Sequence, residues 1–233
     1  MTGTFINVGA IIAGSALGAL AGSRLPAKMR QTVLYGIGLL TLLIGFQMAL
    51  KTENILVVLG AILIGGILGE ALKIEDRIES LGEFLQAKLS GGSDHTFAEG
   101  FVVSSIVFCV GPMAILGSIS DGLSGDYRLL SIKAVLDGFA SIAFAASLGW
   151  GVALSALSIL VYQGGITLFA SGISSLLTDP MVTEMTATGG LIIVGIGLKL
   201  LEIKHLRLAN FVPAIAVAPV ILALVPVVKG FWG

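Results

Sequence analysis

The sequence predicts an all-α polytopic membrane protein, and two observations carry that prediction. Of the 233 residues, 56% are hydrophobic and only 12% are charged, whereas about 25% of the residues of a soluble domain are charged. The apolar residues also come in long runs, and the mean hydropathy is +1.03. Runs of about 20 apolar residues match the thickness of a bilayer. We therefore expect residues 1–233 to form a single membrane domain.

About eight transmembrane helices follow one another along the chain, with seven as the alternative. Their approximate bounds are Thr4–Gly22, Gln31–Leu50, Asn54–Leu72, Phe97–Gly117, Leu129–Trp150, Val152–Leu176, Met185–Ile203 and Leu208–Val228. Between the third and fourth spans lies Lys73–Thr96, which has apolar residues on one helical face and charges on the other. This pattern is typical of a helix lying at a membrane surface, and we place it on the cytoplasmic side.

The first six spans divide into two units of three, residues 4–72 and 97–176. A shift of 102 residues, reduced to 99 at the last pair, aligns short matching segments: Val8-Gly9 with Val110-Gly111, Val33-Leu34 with Val135-Leu136, and Gly65-Gly66 with Gly164-Gly165. Hydrophobic segments align easily, but the order of spans and joints agrees as well. Three spans per unit make the repeat inverted, as in many secondary transporters. Two additional spans follow within residues 185–228.

Prolines predict two broken helices, one at Gly111-Pro112 and one at Pro213 and Pro219. Proline lacks a backbone donor, and inside a membrane the freed backbone groups need partners in protein or water. A break there predicts a binding site for an ion or solute, and the alternative is a kink whose partners are all internal. The following stretch, residues 118–126, reads as a polar turn with solvated carboxylates, which would suit a mobile outer gate.

Small residues recur every four positions in the first span, at Gly14, Gly18 and Gly22. Such a stripe lets a second helix approach closely. The partner is either another span of the same chain or a second copy, so the stripe raises the hypothesis of a homodimer. The alternative is chance, because the chain contains 32 glycines.

The distribution of basic residues predicts the orientation. In an eight-span arrangement one side holds nine Lys and Arg: Arg24, Lys28, Arg30, Lys73, Arg77, Lys88, Lys199, Lys204 and Arg207. The other side holds four: Lys51, Arg128, Lys133 and Lys229. The positive-inside rule places the richer side in the cytoplasm, so both termini would face out.

Asp137 is the strongest candidate for chemistry, because an ionisable group at a helix centre costs about 2.5–3.5 kcal/mol on insertion scales. Lys133 precedes it by one turn on the same face. The functional interpretation is a substrate or coupling-ion carboxylate that the lysine regulates. The alternative is a self-neutralised pair near the outer interface.

Other polar residues within the spans are weaker candidates for a substrate or coupling-ion site. Gln163 stands between apolar residues and two glycines, and its amide needs partners there. Glu70 could accept a proton or could be solvated at the membrane surface. The remaining candidates are Ser104, Ser105 and Asn210, the break residues Gly111 and Pro112, and, ranked lower, Gln47 and Asn7.

Several segments together resemble a known bacterial family. They are GGILGEALKIEDRIE from Gly65, VGPMAILGSISDGLSGD from Val110, KAVLDGFAS from Lys133, YQG at Tyr162 and IGLKLLEIKHLRLANFVPAI from Ile196. The chain is similar over nearly its whole length to the domain-of-unknown-function 554 proteins, the YdfK/YqgA-like membrane proteins. The resemblance implies a bacterial inner-membrane protein with a role in transport, and it supplies no binding residues.

The function expected from these features is secondary transport of a small solute or ion, coupled to protons or another cation. The alternatives are an oligomeric channel and a membrane assembly protein without transport activity. An enzyme is not expected, because the sequence has no H-E-x-x-H or G-x-S-x-G motif, no Cys/His ligand cluster and no phosphate-binding loop. An intramembrane aspartyl dyad of Asp121 and Asp137 is conceivable, but no spacing demands it. The net charge of −1 gives no reason to expect nucleic acid as a partner. We expect no cofactor and no metal, and the partners are the lipid bilayer and the solute.

Overall fold

A computed structural model describes residues 1–78, 80, 96–204 and 206–232, and it forms helices and no strands in these stretches of the chain. The helices are α1 (Thr2–Gly22), α2 (Ala27–Ala49), α3 (Ile55–Ala71), α4 (Thr96–Cys109), α5 (Pro112–Ser124), α6 (Arg128–Leu148), α7 (Gly151–Leu168), α8 (Ala170–Leu176), α9 (Asp179–Leu200), a 3-10 helix (Leu208–Phe211) and α10 (Pro213–Trp232). The all-α prediction is confirmed.

Five of these helices, α1, α2, α6, α7 and α9, are long and apolar enough to cross a membrane. The bent pair α4 and α5 makes a sixth candidate span, and α3 and the segment Leu208–Leu224 are shorter apolar helices. Large apolar side chains cover the outside of the bundle: Leu39 is 62% exposed and Phe139 is 70% exposed. Lipid chains are a suitable environment for such a surface. The count of eight spans and the inverted repeat stay predictions.

The predicted break at Gly111-Pro112 is confirmed, because α4 and α5 meet there at 63°. Gly111 has φ 148°, a value that residues with a side chain rarely adopt. Helix α5 then begins at Pro112, where the missing backbone donor costs nothing. Gly100 on α4 packs against Leu148 at one end of the bundle. Asp121, near the end of α5, contacts Gly3 at the start of α1, so the bent pair extends from one end of the bundle toward the other.

Two predictions about proline and turns were wrong in detail. Residues 118–126 are mostly helical, because α5 continues to Ser124 and ends on Gly125, whose φ of 70° forms a left-handed cap. The second break precedes Pro213, at the joint between the 3-10 helix and α10, and Pro219 lies inside the continuous α10. A proline at the first position of a helix starts it without strain.

Two predicted segments agree with the structure only over some of their length. The span predicted as Val152–Leu176 divides into α7 and α8, which meet at Phe169. In the predicted surface segment, residues 74–78 are helical, whereas residues 81–95 lie outside the described residues.

The glycine stripe of α1 packs inside the chain. A Cβ atom added to any of its three glycines would overlap a backbone carbonyl oxygen of α6; the pairs are Gly14 with Gly138, Gly18 with Ile142 and Gly22 with Ala146. Two helices this close leave no room for a third between them. A homodimer would therefore have to use another surface than this stripe.

Buried apolar side chains fill the remaining interhelical space. The larger core lies between α1, α4, α6, α7 and α9, and in it the rings of Phe108 and Phe144 meet edge-on with centroids 6.0 Å apart. A smaller core joins α3 to α10 through Val57, Ala61 and Ala214. Because α1 packs on both α6 and α7, the interior faces of these three helices meet.

Candidate functional site

Four polar side chains from three helices meet inside the bundle, where α1, α6 and α7 contact one another. We call them the polar cluster: Asn7, Lys133, Asp137 and Gln163. Asn7 and Gln163 are completely buried, and Lys133 and Asp137 are only 6% and 8% exposed. Charged and amide groups at such positions are costly unless they find partners. The structure thus brings three predicted candidates together and adds Asn7, which the sequence ranked low.

A single carboxylate oxygen joins the cluster. Oδ2 of Asp137 accepts a hydrogen bond from Nζ of Lys133, one turn earlier on α6, and a second from Nδ2 of Asn7 at 2.9 Å. The same Asn7 nitrogen donates to Oε1 of Gln163 at 3.0 Å. The predicted Lys–Asp pair therefore forms, and it is buried inside the bundle, where the Asn7 amide also binds it.

Two amide atoms of the cluster have no hydrogen-bond partner among the described residues. They are Oδ1 of Asn7 and Nε2 of Gln163, both fully buried. Leaving a buried polar atom unpaired costs about 1–3 kcal/mol, so a site that keeps two such atoms is suited to accept a ligand or water. One atom is an acceptor and the other a donor.

A second layer of polar groups lies toward the end of the bundle that carries Met1, which we call the Met1 end. Thr4 is one turn from Asn7 on α1, and Thr167 is one turn from Gln163 on α7. Both hydroxyls, and that of Ser118 on α5, are buried and lack a partner in the stretches that the structure describes. Hydroxyl groups both donate and accept hydrogen bonds, so this layer can bind a ligand or its water molecules on the way to the cluster.

Asp121 closes the Met1 end. It is 5% exposed, although the sequence predicted a solvated turn residue. Its Oδ2 accepts a hydrogen bond from the Gly3 amide at 3.1 Å and lies 2.9 Å from the amino group of Met1. A carboxylate at a helix start is favourable, because free N–H groups and the helix dipole meet it there. Asp121 thereby ties the end of α5 to the start of α1.

The helix break lies next to the cluster. Cys109, the last residue of α4, and Tyr162, which precedes Gln163 on α7, line the same cavity. Since α5 starts only three residues after Cys109, its positive end begins in the interior of the bundle. A broken helix beside buried charges is typical of substrate sites in transporters.

Comparison with known proteins places the chain in a family. It matches the family described as protein of unknown function (DUF554) over residues 2–223. The chain belongs to this family. It is 29% identical over 229 residues to the uncharacterized membrane protein YdfK of Bacillus subtilis (strain 168), with 97% of each chain covered. It is 30% identical over 220 residues to the uncharacterized protein YqgA of Escherichia coli (strain K12), covering 93% of this chain and 94% of that one. No solved structure matches.

In this DUF554 protein the two predicted serines lie apart from the polar cluster. Ser104 donates to the carbonyl oxygen of Gly100 within α4, so its hydroxyl is already satisfied. The hydroxyl oxygens of Ser105 and Ser158 are 2.8 Å apart and form a hydrogen bond that links α4 to α7. Both line a mostly apolar cavity of about 620 Å³ between α4, α7 and α10, which Cys109 also borders.

Glu70 and Asn210 meet at the opposite end of the bundle, which we call the Glu70 end. Nδ2 of Asn210 donates to Glu70 at 2.6 Å, and Arg207 donates to the same carboxylate at 2.7 Å. Asn210 also accepts from the amide of Glu75 at 2.8 Å. These contacts fasten the loop before α10 to the end of α3, and Glu70 itself is exposed. We assign the group a structural role.

Glu184 is a buried carboxylate that sequence reasoning missed. It is 2% exposed and accepts from the Thr52 hydroxyl at 2.7 Å and from the amides of Glu53 and Asn54 at 2.8 and 2.9 Å. It holds the turn between α2 and α3, and its negative charge is favourable beside the free N–H groups at the start of α3. The predicted span begins at Met185, one residue after Glu184. The helix is longer at this end and begins at Asp179, so Glu184 lies more than one turn inside α9.

No three His, Cys, Asp or Glu side chains come together as a metal site within the described residues.

Proposed function

We propose that this protein is a secondary transporter that carries a small solute across the bacterial inner membrane. The observation that carries the proposal is the polar cluster itself, in which a carboxylate, an ammonium and two amides from three helices are buried together. Ionisable groups inside membrane helices mark substrate and ion paths. Carriers commonly hold such sites beside broken helices near the middle of the bilayer.

The broken span supplies a means of alternating access. Gly111 lies between the two helices and belongs to neither, so α5 can change its angle to α4 with little strain. Opening the site toward the Met1 end would require α5 to release its contact between Asp121 and the start of α1. Closing that end and loosening the packing at the Glu70 end would expose the cluster to the other side.

The orientation belongs to the same proposal. Nζ of Lys199 lies 4.0 Å from Oε1 of Glu99, and Arg207 donates a hydrogen bond to Glu70. These basic residues therefore share the Glu70 end. The positive-inside rule then makes the Glu70 end cytoplasmic and the Met1 end external.

Flux through the purified protein in proteoliposomes tests the function. The probes are radiolabelled lactate, alanine, mannitol and methylammonium, each measured with a pH gradient and after an ionophore has collapsed it. A carrier accumulates one probe above its external concentration only while the gradient lasts. Asp137→Asn should abolish that accumulation, whereas Asp126→Asn, at an exposed turn position, should leave it intact.

Other outcomes would contradict the proposal. A probe that only equilibrates, at the same rate with and without the gradient, would indicate a channel. Accumulation that is unchanged in Asp137→Asn would remove the cluster from the mechanism.

A further inference from the structure

We propose, resting on the transport function above, that the polar cluster carries a small monovalent anion together with one proton. The proton binds the carboxylate of Asp137, and the anion binds the ammonium of Lys133 that this carboxylate then releases. The Met1 end, through Thr4, Ser118 and Thr167, is the route by which both approach.

The step balances in charge and in atoms. Protonation forms one O–H bond on Asp137 and breaks no bond in the protein. Lys133 keeps its three protons and exchanges one ion-pair partner for another. The cluster is neutral before loading, as carboxylate plus ammonium, and neutral after it, as carboxylic acid plus ammonium plus anion. When the anion leaves with the proton, Asp137 and Lys133 pair again.

Charge neutrality separates this ligand from the alternatives. A metal cation that approached Oδ2 of Asp137 would meet the ammonium of Lys133, which already donates to that oxygen. An anion without a proton would meet the carboxylate. Both arrangements place like charges together in a medium of low dielectric, which is strongly unfavourable. A zwitterion would have to separate a pair of side chains that touch, whereas a proton frees Lys133 without moving either backbone.

The unpaired atoms around the pair fit an anion. Nε2 of Gln163 is a donor without a partner among the described residues, and the hydroxyls of Thr4, Ser118 and Thr167 can all donate. All four side chains are at least nine-tenths buried, where a hydrogen bond to a charged acceptor is about twice as strong as a neutral one. Oδ1 of Asn7 is an unpaired acceptor, so it is available for the hydrogen bond that protonated Asp137 would donate.

The titratable groups that surround the pair are few. Helix α1 contains no titratable side chain. Among the side chains that the structure describes, the titratable ones on the other helices packed against α6 are Lys28 and Tyr35 of α2, Glu99 and Cys109 of α4, Asp121 of α5 and Tyr162 of α7. Asp121 is paired with the Met1 amino group, Glu99 with Lys199, and Tyr35 contacts Glu202. Asp137 is therefore the group of the cluster that gains the proton.

Calorimetric titration tests the proposal directly. The protein in lipid nanodiscs is titrated with potassium lactate and potassium nitrate at several pH values, in two buffers of different ionisation enthalpy. We expect one proton to be taken up per anion, and an affinity about tenfold weaker for each pH unit in which Asp137 is ionised in the free protein. Replacing potassium by sodium should change nothing.

Variants sharpen the same experiment. Asp137→Asn mimics the protonated side chain, so its anion affinity should be independent of pH and should involve no proton uptake. Lys133→Met should lose anion binding, and Asp126→Asn should behave as the wild type. If Asp137→Asn does not fold, the proton uptake of the wild type and the result for Lys133→Met still decide the question.

The outcomes also separate this inference from the transport function. An anion affinity that ignores pH in the wild type, or anion binding without proton uptake, overturns the inference while transport can stand. Proton-linked anion binding without flux in proteoliposomes supports the site and overturns the transport function.

Discussion

Asn7 on α1 donates a 3.0 Å hydrogen bond to Gln163 on α7, joining two residues that are 156 positions apart in the chain. The same nitrogen reaches Asp137 on α6. Because both hydrogens of this amide are used, the Asn7 side chain fixes the relative positions of three helices at the depth where the charges lie.

Replacing the amides of Asn7 and Gln163 should affect stability and transport differently. Asn7→Leu leaves Oε1 of Gln163 without its donor, and we expect a loss of about 1–3 kcal/mol in the free energy of unfolding. The double variant Asn7→Leu with Gln163→Leu removes both partners, so its loss should be smaller than the sum of the two single losses. Gradient-driven uptake should be lost in all three.

Thermal unfolding in detergent and uptake in proteoliposomes measure the two effects, with Ile6→Leu, on the exposed face of α1, as the control. Additive losses in the double variant, or uptake that survives in it, would contradict a role for these amides in the site.

The close approach of α1 and α6 predicts a large effect of one added methyl group. In Gly18→Ala the new Cβ would overlap the backbone at Ile142, and backbone cannot move aside as a flexible side chain can. We expect a loss of about 1–3 kcal/mol or more from overpacking. Gly9→Ala is the matched control on the same helix, since nothing lies within 4 Å of its Cβ.

Because alanine favours a helix over glycine by about 1 kcal/mol, Gly9→Ala should keep or raise the unfolding temperature while Gly18→Ala lowers it. Equal shifts for the two variants would show that helix propensity, not interhelical contact, governs this stripe.

The buried Glu184 should be needed for stability at the α2–α3 turn. Glu184→Ala leaves the amides of Glu53 and Asn54 unpaired, and each unpaired donor costs about 1–3 kcal/mol. Glu53→Ala is the control, because its side chain is exposed and its amide remains bound to Glu184. Chemical denaturation should show a clear loss for Glu184→Ala only. If the two variants are equally stable, Glu184 is not the residue that holds the turn.

Much of the site could be predicted from the sequence, because a polar or charged side chain inside an apolar span is costly and therefore rare. Asp137, Lys133 and Gln163 stood out as polar groups in apolar spans, and the structure places all three in one cluster. Asn7 was underweighted because one amide near the start of a span is easily satisfied by water. Asp121 was misplaced because Gly and Ser residues suggested a turn, whereas the helix continues and turns this carboxylate toward the start of α1.

Features that depend on neighbours along the chain could be predicted from the sequence: an all-helical membrane fold, most helix bounds, and the break at Gly111-Pro112. Hydropathy, the missing donor of proline and the freedom of glycine act within a few residues, so they can be read locally. Which polar groups meet depends on the packing of helices that are distant in the chain. Asn7 and Asp137 are 130 positions apart, and their contact depends on α1 and α6 approaching through glycine. The partner of a buried charge is set by how helices pack, and packing is not a local property of the sequence.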